Sequence, residues 1–161
     1  MKEKLATPVL IACVLFLGFI TGTGIYQHLF WIPEMFASPT SLAERLSGEG
    51  TESGQLFWIP LHALTFITML LSLIFNWKIE RRRKLVLFSF IGYSYISLIS
   101  IYFAWQLYVL ANMTNPTEFQ DSTRQWLILS WHRPILQAVI ELLLLVAISR
   151  PALQTEETNY E

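Results

Sequence analysis

Three histidines, His28, His62 and His132, are the only ones in this chain of 161 residues. Each falls near one end of a long apolar run. His28 comes about four residues before the end of the first run, His62 a few residues after the start of the second, and His132 about six residues into the fourth. At a rise of about 1.5 Å per residue, all three lie roughly 5–10 Å below the same boundary of a helical layer. Neutral imidazoles projecting from facing helices make a ligand set for zinc, copper or iron, and a carboxylate suits iron or zinc. The metal ligands expected from the sequence are therefore His28, His62 and His132. The cofactor is a transition metal, with copper, zinc and iron not distinguished. Glu34 lies just above that layer as a fourth ligand or catalytic carboxylate. No HxxxH or HxxE pair gives local support. The plain alternative is three separate interfacial histidines, each hydrogen-bonded to a neighbour.

Other polar groups share the depth. Gln106 in the third run and Arg133 beside His132 are expected to orient substrate or ligands, and Arg133 is suited to hold an anionic group or to pair with Glu34. Trp31, Trp58, Tyr102, Trp105 and Trp131 surround the layer and are the expected substrate contacts, in an apolar pocket with a few convergent polar groups. Several of these rings also fit the aromatic belt found where helices leave a membrane.

The elements that must position these residues follow from composition. Hydrophobic residues make up 53% of the chain and charged residues 14%, well below the roughly 25% charged residues of soluble proteins. The apolar residues gather into runs at about 8–32, 56–77, 84–111 and 126–149, each near or above the roughly 20 residues that cross a hydrocarbon core. The expected fold is all-α: a polytopic membrane protein, a four-transmembrane-helix bundle forming one domain over residues 1–151. Residues 152–161 read as a disordered polar tail. Lys2, Lys4, Lys78, Arg81, Arg82, Arg83, Lys84 and Arg150 lie at one set of ends, against Arg45, Arg124 and Arg133 at the other. Lys- and Arg-rich short loops stay in the cytoplasm, so both termini are expected inside, in a plasma or inner membrane. The 78–84 run reads as a topology signal, and no nucleic-acid partner is implied. Cys13 is the lone cysteine, which excludes an intrachain disulfide.

Within the runs, Gly18 and Gly22 share a face that allows close helix approach. Pro33 is expected to end the first span at Ile32. Ser41 and Glu44 fit a capping box for a short helix near 42–47, followed by a flexible stretch from Ser47 to Gly54. His62, Thr65, Met69, Ser72 and Asn76 form one largely polar stripe. Pro134 is expected to kink the last span or to start a second helical piece. Arg133, Gln137 and Glu141 follow at steps of four, and Glu141 is a mid-membrane carboxylate, a functional candidate by its depth. Gly- and Ser-rich helix faces leave room for a homo-oligomer.

Four spans in a chain of this length resemble the anthrone-oxygenase-like family of small membrane proteins. The resemblance rests on the Gly-rich first span ending in a proline (Gly18, Gly22, Gly24, Pro33) and on Trp126, Trp131 and Arg133 at the start of the last span. It implies an integral membrane oxidoreductase or oxygenase acting on a small hydrophobic, aromatic or lipid-like substrate. The competing expectation is a non-enzymatic tetraspan module, a partner subunit or small carrier that uses Glu141 and the polar helix faces.

Overall fold

A computed structural model describes residues 2–47 and 49–151, so the tail expected to be disordered lies outside the described residues. The chain is helical throughout, with no strand among the described residues. The helices are α1 (Lys2–Tyr26), α2 (Ile32–Met35), α3 (Pro39–Ser47), α4 (Glu49–Asn76), α5 (Glu80–Ala111), α6 (Pro116–Ser130) and α7 (His132–Ser149). Among the described residues four stretches are long and apolar enough to cross a membrane: Lys4–Met35, Phe57–Asn76, Glu80–Ala111 and Pro116–Ser149. α1 packs against α4 and α7, and α5 against the same two, closing a ring of four. Their outward faces are apolar: Phe19, Leu98, Ile101 and Leu142 are 62–69% exposed.

The first span does not stop at Ile32. A single π-helical turn, Gln27–Trp31, joins α1 to α2, and the Ile32 N–H bonds to the Gln27 carbonyl five residues back. Pro33 then falls in the first turn of α2, where its missing N–H costs nothing. The extra residue in the turn absorbs what the proline would otherwise break. In the following connection the cap is Ser38 rather than Ser41. Ser38 Oγ accepts the Ser41 N–H at 3.0 Å, and Pro39 opens α3, the ordinary N-cap arrangement with proline at the first position. The stretch expected to be flexible is largely helical, since α4 begins at Glu49.

The last span is also longer than expected. Asn115 caps α6, its side chain accepting the N–H groups of Thr117 and Glu118. The helix breaks at Trp131, and α7 begins at His132 with Pro134 as its third residue. Pro134 thus sits in a first turn, where no intrahelical N–H is needed.

Two apolar clusters hold the bundle. Leu10, Leu17, Met69, Tyr93, Ile140 and Leu144 belong to the larger one, which joins the four long helices. Ile32, Met35, Leu42, Phe103, Phe119 and Trp126 form the core of the second, at the end where α2, α3 and α6 meet α5. Lipid is as apolar as such a core, so association between membrane helices rests on packing and hydrogen bonds more than on transfer from water. That gives weight to the polar ties at the opposite end. Arg82 is 2% exposed. Its Nε donates to the Arg150 carbonyl at 2.7 Å, Nη2 to the Arg150 and Ile148 carbonyls, and Nη1 to Thr7 Oγ1 at 2.8 Å and Asn76 Oδ1 at 3.5 Å. Asn76 Nδ2 donates in turn to the carbonyls of Ala6 and Ser72. One cation of the 78–84 run is therefore a buried clamp. It caps the last carbonyls of α7 and ties them to α1, α4 and α5, which is more than a topology signal.

Candidate functional site

Between the two clusters, at the end of the bundle that holds His28, is a cavity of about 300 Å³. Three residues of the π turn, Gln27, His28 and Trp31, line it, with Ile32 and Met35 of α2. His28, Trp31, Ile32 and Met35 follow the ordinary spacing of one helix face, and Trp31 remains partly exposed. His28 is 6% exposed. Its Nδ1 donates to the Gly24 carbonyl at 2.8 Å, and Nε2 lies 2.8 Å from Ser130 Oγ. A carbonyl only accepts, so Nδ1 carries a proton. Ser130 Oγ also lies 3.0 Å from the Leu127 carbonyl. The hydroxyl either donates to Nε2 or accepts from a protonated Nε2 while donating to Leu127. In both arrangements neither ring nitrogen is free. The ring packs against Trp131 at 4.9 Å and lies near parallel to Trp126 at 6.5 Å.

His62 comes from α4, which packs directly beside α1. Pro60 lies within α4 two residues earlier, and the ring sits between Trp58 and Tyr93, with centroids 5.8 and 6.2 Å away. Its Nδ1 lies 2.8 Å from Tyr93 Oη. Nε2 has no protein partner among the described residues, and His62 lines the cavity. Tyr93, fully buried in α5, fixes the ring. Its hydroxyl can donate to Nδ1 or accept from it, which leaves Nε2 protonated or with a free lone pair.

α7 supplies the remaining polar wall. The Arg133 guanidinium carbon sits 4.6 Å from the Phe103 ring centroid and 5.5 Å from that of Trp126. One turn later Gln137, 5% exposed, lines the cavity without a hydrogen bond among the described residues. Gly24 of α1 lies against it: a Cβ there would be 3.8 Å from Gln137 Oε1, an ordinary contact. Trp31, Trp58 and Trp126 supply apolar surface, and among the described residues no Asp or Glu lines the space.

Of the residues expected at a site, His28, His62, Arg133, Trp31 and Trp58 meet on this cavity. The others stand elsewhere. His132 packs against Phe103 and Tyr95, at 5.5 and 6.3 Å. Its Nδ1 bonds to the Leu129 carbonyl, and its buried Nε2 has no partner. Glu34 is a surface residue, its side chain 70% exposed, paired with Arg45 at 3.6 Å. Tyr102 and Trp105 face outward, 56% and 65% exposed. Gln106 does not line the cavity, and Trp131 reaches it only through its contact with His28. Sequence reasoning missed Tyr93, Ser130 and Gln137 as site residues. Gln137 had a legible signal, since it lies four residues after Arg133 and so on the same helix face.

The donor set does not fit a resident metal. Among the described residues no three His, Cys, Asp or Glu side chains gather where an ion could be held. His28 has no free ring nitrogen, and His132 is outside the cavity, so His62 alone offers one. Glu141 is apart as well: its carboxylate lies over Gly18, with Oε1 3.0 Å from where a Cβ would be, on the α1–α7 seam. Compared with known proteins, the chain matches no family model, no curated protein and no solved structure.

Proposed function

We propose that this chain is an integral membrane protein that binds a small hydrophobic, aromatic molecule in the His28–His62–Arg133 cavity. There it acts as an oxidoreductase or oxygenase, the activity implied by the resemblance to the anthrone-oxygenase-like proteins. The observation that carries the reading is the free Nε2 of His62 on an aromatic-walled cavity of about 300 Å³, at the lower end of the range for small-molecule sites. With Tyr93 holding Nδ1, His62 is placed to take a proton from the bound molecule or return one. Dioxygen is the oxidant in this reading: a CH2 group becomes a carbonyl, one oxygen atom enters the product and the other leaves as water. Its chemistry runs through protons and hydrogen bonds, because the residues do not fit a three-histidine metal site.

The same proposal sets the orientation. With Lys78, Arg81, Arg82, Arg83, Lys84 and Arg150 at one end, both termini face the cytoplasm and the cavity lies toward the outer leaflet.

The test is oxygen uptake by the purified protein in nanodiscs supplied with anthrone, beside His62→Ala. The reading expects uptake by the parent well above protein-free discs, and its loss in the variant. No uptake and no saturable binding of anthrone by the parent would sink it.

A further inference from the structure

We infer that the molecule held in this cavity carries an anionic oxygen group, a carboxylate or a phenolate, seated between Arg133 and Gln137. The inference rests on the cavity being a small-molecule site and names the class of molecule it takes.

Arg133 has five N–H donors. Its Nε reaches the Ser130 carbonyl at 3.5 Å, and the other four find no acceptor among the described residues. Among the described residues no carboxylate lies within ion-pair distance of it, and none lines the cavity. An unpaired guanidinium at membrane depth is expensive. Here it is also held in a fixed direction, stacked on the faces of Phe103 and Trp126, which favour a cation but accept none of its hydrogen bonds.

Gln137 makes the same point independently. It is 5% exposed and aimed into the cavity, and its amide makes no hydrogen bond among the described residues. The two side chains are one helical turn apart on α7, so their donors converge on one place from adjacent levels. A guanidinium fork with an amide beside it matches a group with one or two anionic oxygens. A cationic molecule would meet Arg133 with nothing to offset it. Trp31 and Trp58 line the same cavity and give apolar surface for a ring.

The experiment uses 2-naphthoate and its uncharged methyl ester, titrated into the full-length protein in phosphatidylcholine nanodiscs. Binding is read by quenching of tryptophan fluorescence, since Trp31, Trp58 and Trp126 line the space. The parent is expected to bind the anion at least about tenfold more tightly than the ester, the scale of a charged hydrogen bond. Arg133→Gln should remove that preference while leaving ester affinity within about twofold, and Arg133→Lys should restore part of it. Gln137→Leu, which leaves the Phe103 and Trp126 stack intact, should weaken the anion several-fold and covers the case in which Arg133→Gln does not fold. Repeating the titration in phosphatidylglycerol discs separates sources. Unchanged affinity assigns the anion to a small molecule, and displacement of naphthoate assigns it to a lipid headgroup on the same two residues. Equal binding of anion and ester, with no dependence on Arg133 or Gln137, overturns the anionic class and leaves the cavity reading standing. Failure of both probes to bind overturns both.

Discussion

His62 Nδ1 and Tyr93 Oη lie 2.8 Å apart, a bond that joins α4 to α5 beside the cavity. Tyr93 is fully buried, so its hydroxyl has no water to fall back on. Tyr93→Phe leaves His62 Nδ1 without its partner and the ring free to turn. The expected cost is about 1–3 kcal/mol of stability, measured by thermal unfolding in detergent. Turnover should fall further than ligand affinity, because His62 is still present but no longer aimed. A variant as active and as stable as the parent would remove the bond from the account.

Arg82 offers a contrast, since its bonds are numerous and far from the cavity. Arg82→Met keeps the aliphatic stem and removes the ties to Thr7, Asn76 and the α7 carbonyls. A loss of about 2–4 kcal/mol is expected from several bonds at about 1 kcal/mol each. Ligand affinity of the folded fraction should be unchanged. Unfolding curves and binding measured on the same sample separate the two effects.

Glu141 lies outside the cavity in this account. Glu141→Gln should keep ligand affinity and turnover within about twofold of the parent. Gly18→Ala should also be mild, under about 1 kcal/mol, because the atom a new Cβ meets at 3.0 Å is the end of a flexible carboxylate side chain that can move aside. Loss of turnover in Glu141→Gln, with the protein folded, would put Glu141 back into the mechanism.

The orientation has its own check. Glu80 is exposed at the start of α5. Glu80→Cys in a Cys13→Ser background should resist a membrane-impermeant thiol reagent in intact cells and react after permeabilisation. Labelling without permeabilisation would invert the topology.

The four spans were legible because length and apolarity are properties of a run and need no partner. The histidine layer was legible only in part. Depth was counted from span boundaries, and the last span begins at Pro116 rather than near residue 126, which puts His132 deeper than the count allowed. Its direction could not be read across the break at Trp131. In the first span the π turn adds a residue that no periodicity counts, and the helix runs on through Pro33 past the end expected at Ile32. Arg82 was hidden by its neighbours: four of the six residues from Lys78 to Arg83 are basic, and nothing in the run itself marks which one turns inward. Tyr93 was one tyrosine among four in its span, and only the packing of α4 on α5 selects it.

The central claim is that this cavity is the ligand site, and Gly24 tests it most directly. A Cβ at Gly24 would lie 3.8 Å from Gln137 Oε1 and 4.0 Å from Pro134 Cβ, so alanine makes ordinary contact, whereas leucine extends into the cavity. Equilibrium binding of 2-naphthoate should be measured on the parent, Gly24→Ala and Gly24→Leu in nanodiscs, with thermal unfolding alongside. The account predicts saturation at one molecule per chain in the parent, near-parent affinity in Gly24→Ala, and at least about a tenfold loss in Gly24→Leu as leucine occupies the space. Parent-like saturation in a folded Gly24→Leu protein would contradict it.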